Sequence, residues 1–169
     1  HVVKTAYGAS MGNASDSIPS RLARGEPVDV VILARPALDQ LVAEGKVVPG
    51  SQVDLVRSSI GMAVRKGAPK PDISTVEALK HTLLAAPSIA YSASASGTYY
   101  ETEMLKNLGI EAQVKPKSRR ILSERVGTVV ARGDAELGLQ QVSELLPIEG
   151  IDFIGVLPPE VQRVTVFSA

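Results

Sequence analysis

Two short runs of small, hydroxyl-bearing residues carry the chemistry that this chain could perform. In "SASASG" (Ser92 to Gly97) the side chains are too small to cover their own backbone, so a ligand can approach the N–H groups while the serines donate hydrogen bonds. "YGASMGNASDS" (Tyr7 to Ser17) has the same character. Each run leads into an amphipathic helical segment, and a helix start presents unpaired N–H groups and a partial positive charge. Together these features make a cradle for an anion or a carboxylate. The competing reading is a plain serine N-cap behind a small-residue turn. Asp16 opposes a bare anion at its own position. A third run, "KPKSRRILSE", precedes another helical segment, and its Lys117, Arg119 and Arg120 either attract an anion or form a solvated turn. Gln140 and Gln141, after the apolar "AELGL", either reach a ligand at a cleft mouth or simply end a strand.

Groups for acid–base or nucleophilic catalysis are sparse. The two histidines, His1 and His81, lack motif-like neighbours, and no Ser-His-Asp pattern is legible. HExxH, GxGxxG and Walker sequences are absent, and without cysteine there is no thiol nucleophile, disulfide or thiolate metal site. The expectation is a binding protein, not an enzyme, with no cofactor and no metal.

The elements that must position these loops follow from periodicity. "DSIPSRLARG" reads as a helix, "DVVILA" (Asp29 to Ala34) as a buried strand and "PALDQLVAEG" as a helix stopped by Gly45. "VDLVRSSIGMAV" reads as one long or two short strands. Ser74 and Glu77 have capping-box spacing at the start of the next helix, as do Thr98 and Glu101. "SIAYS" is a strand; Tyr100, Met104 and Leu108 share a helical face; "EAQVK" is a short strand. Leu122, Val126, Val129 and Val130 then form another helical face. "AELGLQQ" is a strand, "VSELL" a helical turn, and "IDFIGVL" and "VTVF" are final strands. Such alternation favours an α/β fold with mostly parallel sheets, in which ligands sit beyond the carboxyl ends of strands.

Of the 169 residues, 44% are apolar, and 18 basic residues balance 18 acidic ones. A core is therefore affordable in one domain or two small lobes, and neither nucleic acid nor an anionic membrane is called for. Aromatic residues are few and not interleaved with basic ones, which argues against single-stranded nucleic acid. No apolar run reaches the roughly 20 residues of a transmembrane helix.

"SRLARGEPVDVVILARPALDQLVAEGKVVPGS", "GMAVRKGAPKPDISTVEALK", "SIAYSASASGTYYETEMLKNLGI" and "VVARGDAELGLQQVSELLPIEGIDFIGVLPPEVQRVTVFSA" resemble, in order and spacing, the extracellular solute-binding proteins of ABC transporters. The resemblance is to their molybdate-binding-like group, of the type II periplasmic binding protein fold. It implies two α/β lobes with helices flanking their sheets, residues 1–59 with 162–169 and residues 60–161, closing on a small anion. It further implies a periplasmic or extracellular location and a membrane permease as partner. Carried over, the ligand residues are Ser10, Gly12, Asn13, Ser15 and Ser17 with Ala34 in the first lobe. In the second they are Ser94, Ala95, Ser96, Gly97, Thr98 and Tyr99, with Arg119 and a helix start near Ser123. Gln141 stands where molybdate binders often have an aromatic residue, which leaves an oxyanion and a small carboxylate both open. Compared with the family pattern the first lobe is incomplete. The expectation is that a neighbouring copy covers its sheet, as in a homodimer, or that the isolated fragment binds weakly. The alternative is the effector-binding domain of a LysR-type regulator, which shares the fold.

Overall fold

The computed structural model describes residues 2–169, so His1 lies outside it. Near the start, α1 (Ile18–Ala23) follows the small-residue loop, and a two-residue strand, β1 (Leu33–Ala34), leads directly into α2 (Arg35–Ala43). Ala37, Leu38 and Leu41 give α2 its buried face, and Pro36 sits in the first turn, where its missing N–H is harmless. Only the last two residues of the expected strand over Asp29 to Ala34 pair with a neighbour. Val30 and Ile32 before them are 71% and 56% exposed, since no described strand lies alongside to cover them.

The run from Val53 to Val64 forms two strands that belong to different sheets. β2 (Asp54–Ser58) joins β1 through the last strand of the chain, and β3 (Ile60–Arg65) enters the larger sheet. The chain thus changes sheet at Ser59. α3 (Val76–Ala85) starts one residue later than the Ser74–Glu77 pair suggested: Thr75 is the N-cap, its hydroxyl accepting from the Ala78 N–H at 3.1 Å, while Ser74 N–H is held by Asp72. β4 (Ile89–Ser92) then runs into α4 (Ala95–Tyr99), which continues through a π turn at Tyr100–Met104 into α5 (Leu105–Asn107). Tyr100, Met104, Leu105 and Leu108 are buried along this run, as the spacing of four predicts.

"EAQVK" is not a strand. Ile110 and Val114 are buried while Ala112 between them is exposed, a helical period, and Glu111–Val114 is a helical turn, α6. The strand comes next, as β5 (Ser118–Ile121), so Arg119 and Arg120 sit on a strand and not in a loop. α7 (Val126–Ala131), β6 (Leu137–Gln141), α8 (Val142–Leu145), β7 (Ile151–Val156) and β8 (Thr165–Ser168) complete the order.

The larger sheet has the order β5-β4-β6-β3-β7 and the smaller β1-β8-β2. β4 pairs in parallel with β5 and β6, and every other pairing is antiparallel. The α/β, type II periplasmic-binding-like fold therefore holds, but the larger sheet is mixed and the smaller antiparallel, where mostly parallel sheets were expected. One face of the larger sheet buries Ile89, Tyr91, Leu137 and Leu139 against α3 and the α4–α5 run; the other buries Ala90 and Ile121 against Val126, Val129 and Val130 of α7. Leu33, Leu38 and Leu41 centre a separate cluster beside the smaller sheet.

Candidate functional site

β4 delivers the "SASASG" run to the carboxyl end of the larger sheet, but the helix begins four residues earlier than the Thr98–Glu101 pair suggested. Ser94 is the N-cap, and Ala95, Ser96 and Gly97 form the first turn. Small side chains are required there: a Cβ on Gly97 would lie 1.6 Å from the Ser92 carbonyl oxygen. Ser92 and Ser96 share a hydrogen bond between hydroxyls at 3.0 Å, and Ser94 makes no side-chain cap bond. The first-turn N–H groups of this helix, which in any helix lack intrahelical acceptors, thus find no capping side chain from Ser94. Ser94, Ala95 and Thr98 are each half-buried.

The first loop is built differently. Ser17, fully buried, caps α1: its oxygen accepts from Ser20 N–H at 3.3 Å while its hydroxyl faces the Gly12 carbonyl at 3.0 Å. Ile18 N–H donates to the Ala9 carbonyl. The start of α1 is therefore satisfied by its own loop and is not an open anion site. Ser10, 7% exposed, accepts from the N–H of buried Ala34 at 3.1 Å, fixing the loop to the end of β1 and bringing two of the expected site residues together. Gly12, Asn13 and Ser15 are exposed along the outer edge. Gly12, at φ +89°, approaches the other loop so closely that a Cβ on it would lie 3.2 Å from the Ala93 carbonyl oxygen. The two small-residue loops meet there.

Besides Ser17, four expected site residues lie elsewhere or are otherwise occupied. The Tyr99 hydroxyl donates to the Val161 carbonyl at 2.9 Å, and the Arg163 guanidinium covers its ring at 4.3 Å. Burial pushes the phenol up, with Arg163 pulling the other way. Gln141 is buried. With its amide oriented to satisfy every partner, its oxygen accepts from the Thr165 hydroxyl at 2.6 Å and its NH₂ donates to the carbonyls of Ser58 and Ser59. It clamps the places where the chain changes sheet. Arg119 and Ser123 line a different hollow of about 420 Å³ with Arg120, Glu124, Arg132 and Asp134, and no residue of the two loops lines it. There Arg132 forks onto Glu124 at 2.7 and 3.0 Å and holds that carboxyl below its ordinary value. The helix start after Ser123 is closed as well, since Gln140 accepts from Val126 N–H at 2.9 Å.

Sequence reasoning missed Gln162. Its side chain accepts from Ile60 N–H at 2.7 Å and donates to the Ile60 carbonyl at 2.9 Å, standing in for a missing strand neighbour. Nothing in the local pattern "PPEVQRV" signals this. Among the described residues no group of three or more His, Asp or Glu is placed to hold a metal ion, and no helix is long and apolar enough to cross a membrane.

An α/β chain whose mixed and antiparallel sheets exchange the chain at two crossovers, with a loop-to-helix junction from each side meeting at one seam, is of the type II periplasmic binding class. This chain belongs to the bacterial extracellular solute-binding protein family, whose model matches residues 1–169. It is 50% identical over 163 residues to an aconitate isomerase of a Pseudomonas species, spanning 96% of this chain and 62% of that protein. That relative is an enzyme, so the expectation that a chain of this kind does no catalysis does not stand. The periplasmic molybdate-binding protein of Azotobacter vinelandii shares the fold at 17% identity and a TM-score of 0.63, over 95% of this chain and 69% of the other. The benzoate-bound effector-binding domain of BenM shares it at 14% identity and 0.53, over 88% and 72%.

Proposed function

We propose that this chain forms most of an isomerase acting on aconitate or a closely similar unsaturated tricarboxylate. The substrate would be held in a cleft between two lobes, residues 1–59 with 162–169 and residues 60–161. The observation that carries the reading is the 50% identity to an aconitate isomerase across nearly the whole chain. The geometry supports it where Gly12 of the first loop meets Ala93 of the second: Gly12, Asn13 and Ser15 are exposed and Ser94, Ala95 and Thr98 half-buried, and with Ser10, Ser96 and Gly97 these would form the ligand shell. Three carboxylates suit hydroxyl and N–H donors spread over two loops better than a single pocket of one sign would. Ser17, Tyr99 and Gln141, whose polar groups are engaged within the protein, and Arg119 and Ser123, in the separate hollow, fall outside this ligand shell.

Aconitate carries a methylene and a vinyl C–H on either side of one substituted carbon. Moving a proton from the first to the second shifts the double bond along a carbon skeleton that reads the same from both ends. The product is aconitate again, with its geometry set by the rotamer held during transfer. No redox partner enters the balance. The test is to follow cis- and trans-aconitate by proton NMR with the full-length protein: interconversion is expected, and neither binding nor turnover would sink the reading.

The same cleft would serve delivery of the ligand to an ABC-type membrane permease outside the cytoplasmic membrane, a role that the family's description supports. Unchanged uptake of labelled aconitate by cells lacking the protein would remove it. The regulator reading rests on shared fold alone.

A further inference from the structure

We infer that Asp16 is the base that moves the proton. The inference rests on the isomerase reading above and assigns that reaction to one side chain. A proton shift next to a carboxylate needs a group within hydrogen-bond reach of carbon that can take the proton and return it. The two loops offer few. Between Tyr7 and Ser17, and between Ser92 and Tyr99, the ionisable side chains are Tyr7, Asp16 and Tyr99. Tyr7 is 80% exposed to solvent, and the Tyr99 hydroxyl is engaged by the Val161 carbonyl. His81 lies on α3, away from both loops. Asp16 is the one carboxylate.

Its placement is unusual for a structural residue. Oδ1 is buried and has no hydrogen-bond partner, a burden that a folded protein ordinarily relieves. Arg21, nearby in the same region, gives its guanidinium to Glu26 and to the Tyr7 carbonyl instead. The backbone around Asp16 is held firmly: a Cβ on Gly8 would lie 2.0 Å from the Asp16 carbonyl oxygen, and Ser17 N–H and Ile18 N–H close the loop on Ala14 and Ala9. The same loop carries Gly12 to the Ala93 carbonyl, so the turn that meets the second loop also holds, four residues on, a carboxylate with one buried and unpartnered oxygen. An acceptor desolvated in advance of its substrate is what proton abstraction from carbon requires.

The step balances. The Asp16 carboxylate takes the methylene proton, and the C–H electron pair spreads over the three-carbon allylic system into the adjoining carboxylates. The neutral Asp16 then delivers the proton to the former vinyl carbon, the double bond settles one position along, and the carboxylate is restored.

The experiment uses the full-length protein with aconitate in D₂O. Asp16→Asn is expected to lose about 10²- to 10⁴-fold in turnover, and to stop exchanging the methylene proton. Its affinity for aconitate by calorimetry should stay within a few-fold, and its unfolding midpoint should equal or exceed that of the wild type, because the unpartnered oxygen contributes nothing to the fold. Undiminished turnover, loss of binding along with turnover, or loss of the fold would each overturn the assignment. A wild type inert toward aconitate would sink the isomerase reading and this assignment with it, whereas an active wild type with an equally active Asp16→Asn would sink Asp16 alone.

Discussion

Replacing Gly97 with alanine sets two opposed effects against each other. Alanine favours a helix over glycine by about 1 kcal/mol, and Gly97 lies within the first turn of α4, so on propensity alone the variant gains stability. The added Cβ, however, would lie 1.6 Å from the Ser92 carbonyl oxygen and 2.9 Å from the Tyr91 ring. The ring can shift; the carbonyl belongs to β4, which pairs on both sides with β5 and β6 and cannot. α4 must therefore move away by more than an ångström. Overpacking of this kind costs about 1–3 kcal/mol, and against backbone the upper part of that range applies. The net is a loss of about 1–2 kcal/mol, since the propensity gain offsets only part of it. In a chain of this size that lowers the unfolding midpoint by roughly 2–8 °C. Turnover is the more sensitive readout, because a displacement of about 1 Å at a site costs on the order of 10²-fold. Urea denaturation and an aconitate assay on Gly97→Ala together decide it. Wild-type stability with wild-type turnover would show that α4 does not ride on the Ser92 carbonyl and would refute the reasoning.

Ser94→Glu places a carboxylate at the half-buried N-cap of α4, where no side-chain cap bond is lost; aconitate affinity by calorimetry should fall at least tenfold with the lobe still folded, and unchanged affinity would reduce the loop to a cap. Gln162→Ala strips the acceptor from the N–H of buried Ile60, an orphaned donor worth about 1–3 kcal/mol, so a loss below about 0.5 kcal/mol on urea denaturation would contradict the clamp. The Asp54 carboxyl is held below its ordinary value, first by the Ser168 hydroxyl and then by Arg35. Its contribution is therefore complete above about pH 4 and is lost as falling pH protonates it, so Asp54→Asn should flatten the acid limb of a stability profile below that pH; an unaltered limb would refute this.

Much of this architecture is legible in the sequence because the apolar period is clean where a segment packs on one face, as in α2, α7 and the run from Tyr100 to Leu108. It fails where the deciding partner is distant. Val30 and Ile32 have strand-like side chains, yet a strand exists only beside another, and β8 reaches only Leu33 and Ala34. The break at Ser59 is written in no local propensity; it arises because Ser58 pairs with Thr165 and Ile60 with Gln141, in different sheets. The two loops were recognisable from their small residues, and so was the strand-to-helix junction at Ser92 to Gly97. The engagement of Ser17 was not, since a cap and a ligand contact ask for the same residue type. Gln141 misled for a related reason: an amide that can hold a ligand can equally hold two carbonyls and a hydroxyl. An enzyme was not expected because a lone aspartate carries no motif, and the quality that marks Asp16, an oxygen buried without a partner, exists only in three dimensions.

The glutamine clamps have a mechanical consequence. Gln141 joins Ser58 and Ser59 of the first crossover to Thr165 at the end of the second, and Gln162 of the second joins Ile60 of the first. Two connectors that could flex separately are thereby laminated into one two-ply strip. Such a strip bends readily across its thin direction and resists shear and torsion. Were Gly12 to part from Ala93, such a strip would hold the movement to that of a door on a continuous hinge and return the two loops to the same facing rather than to a twisted one.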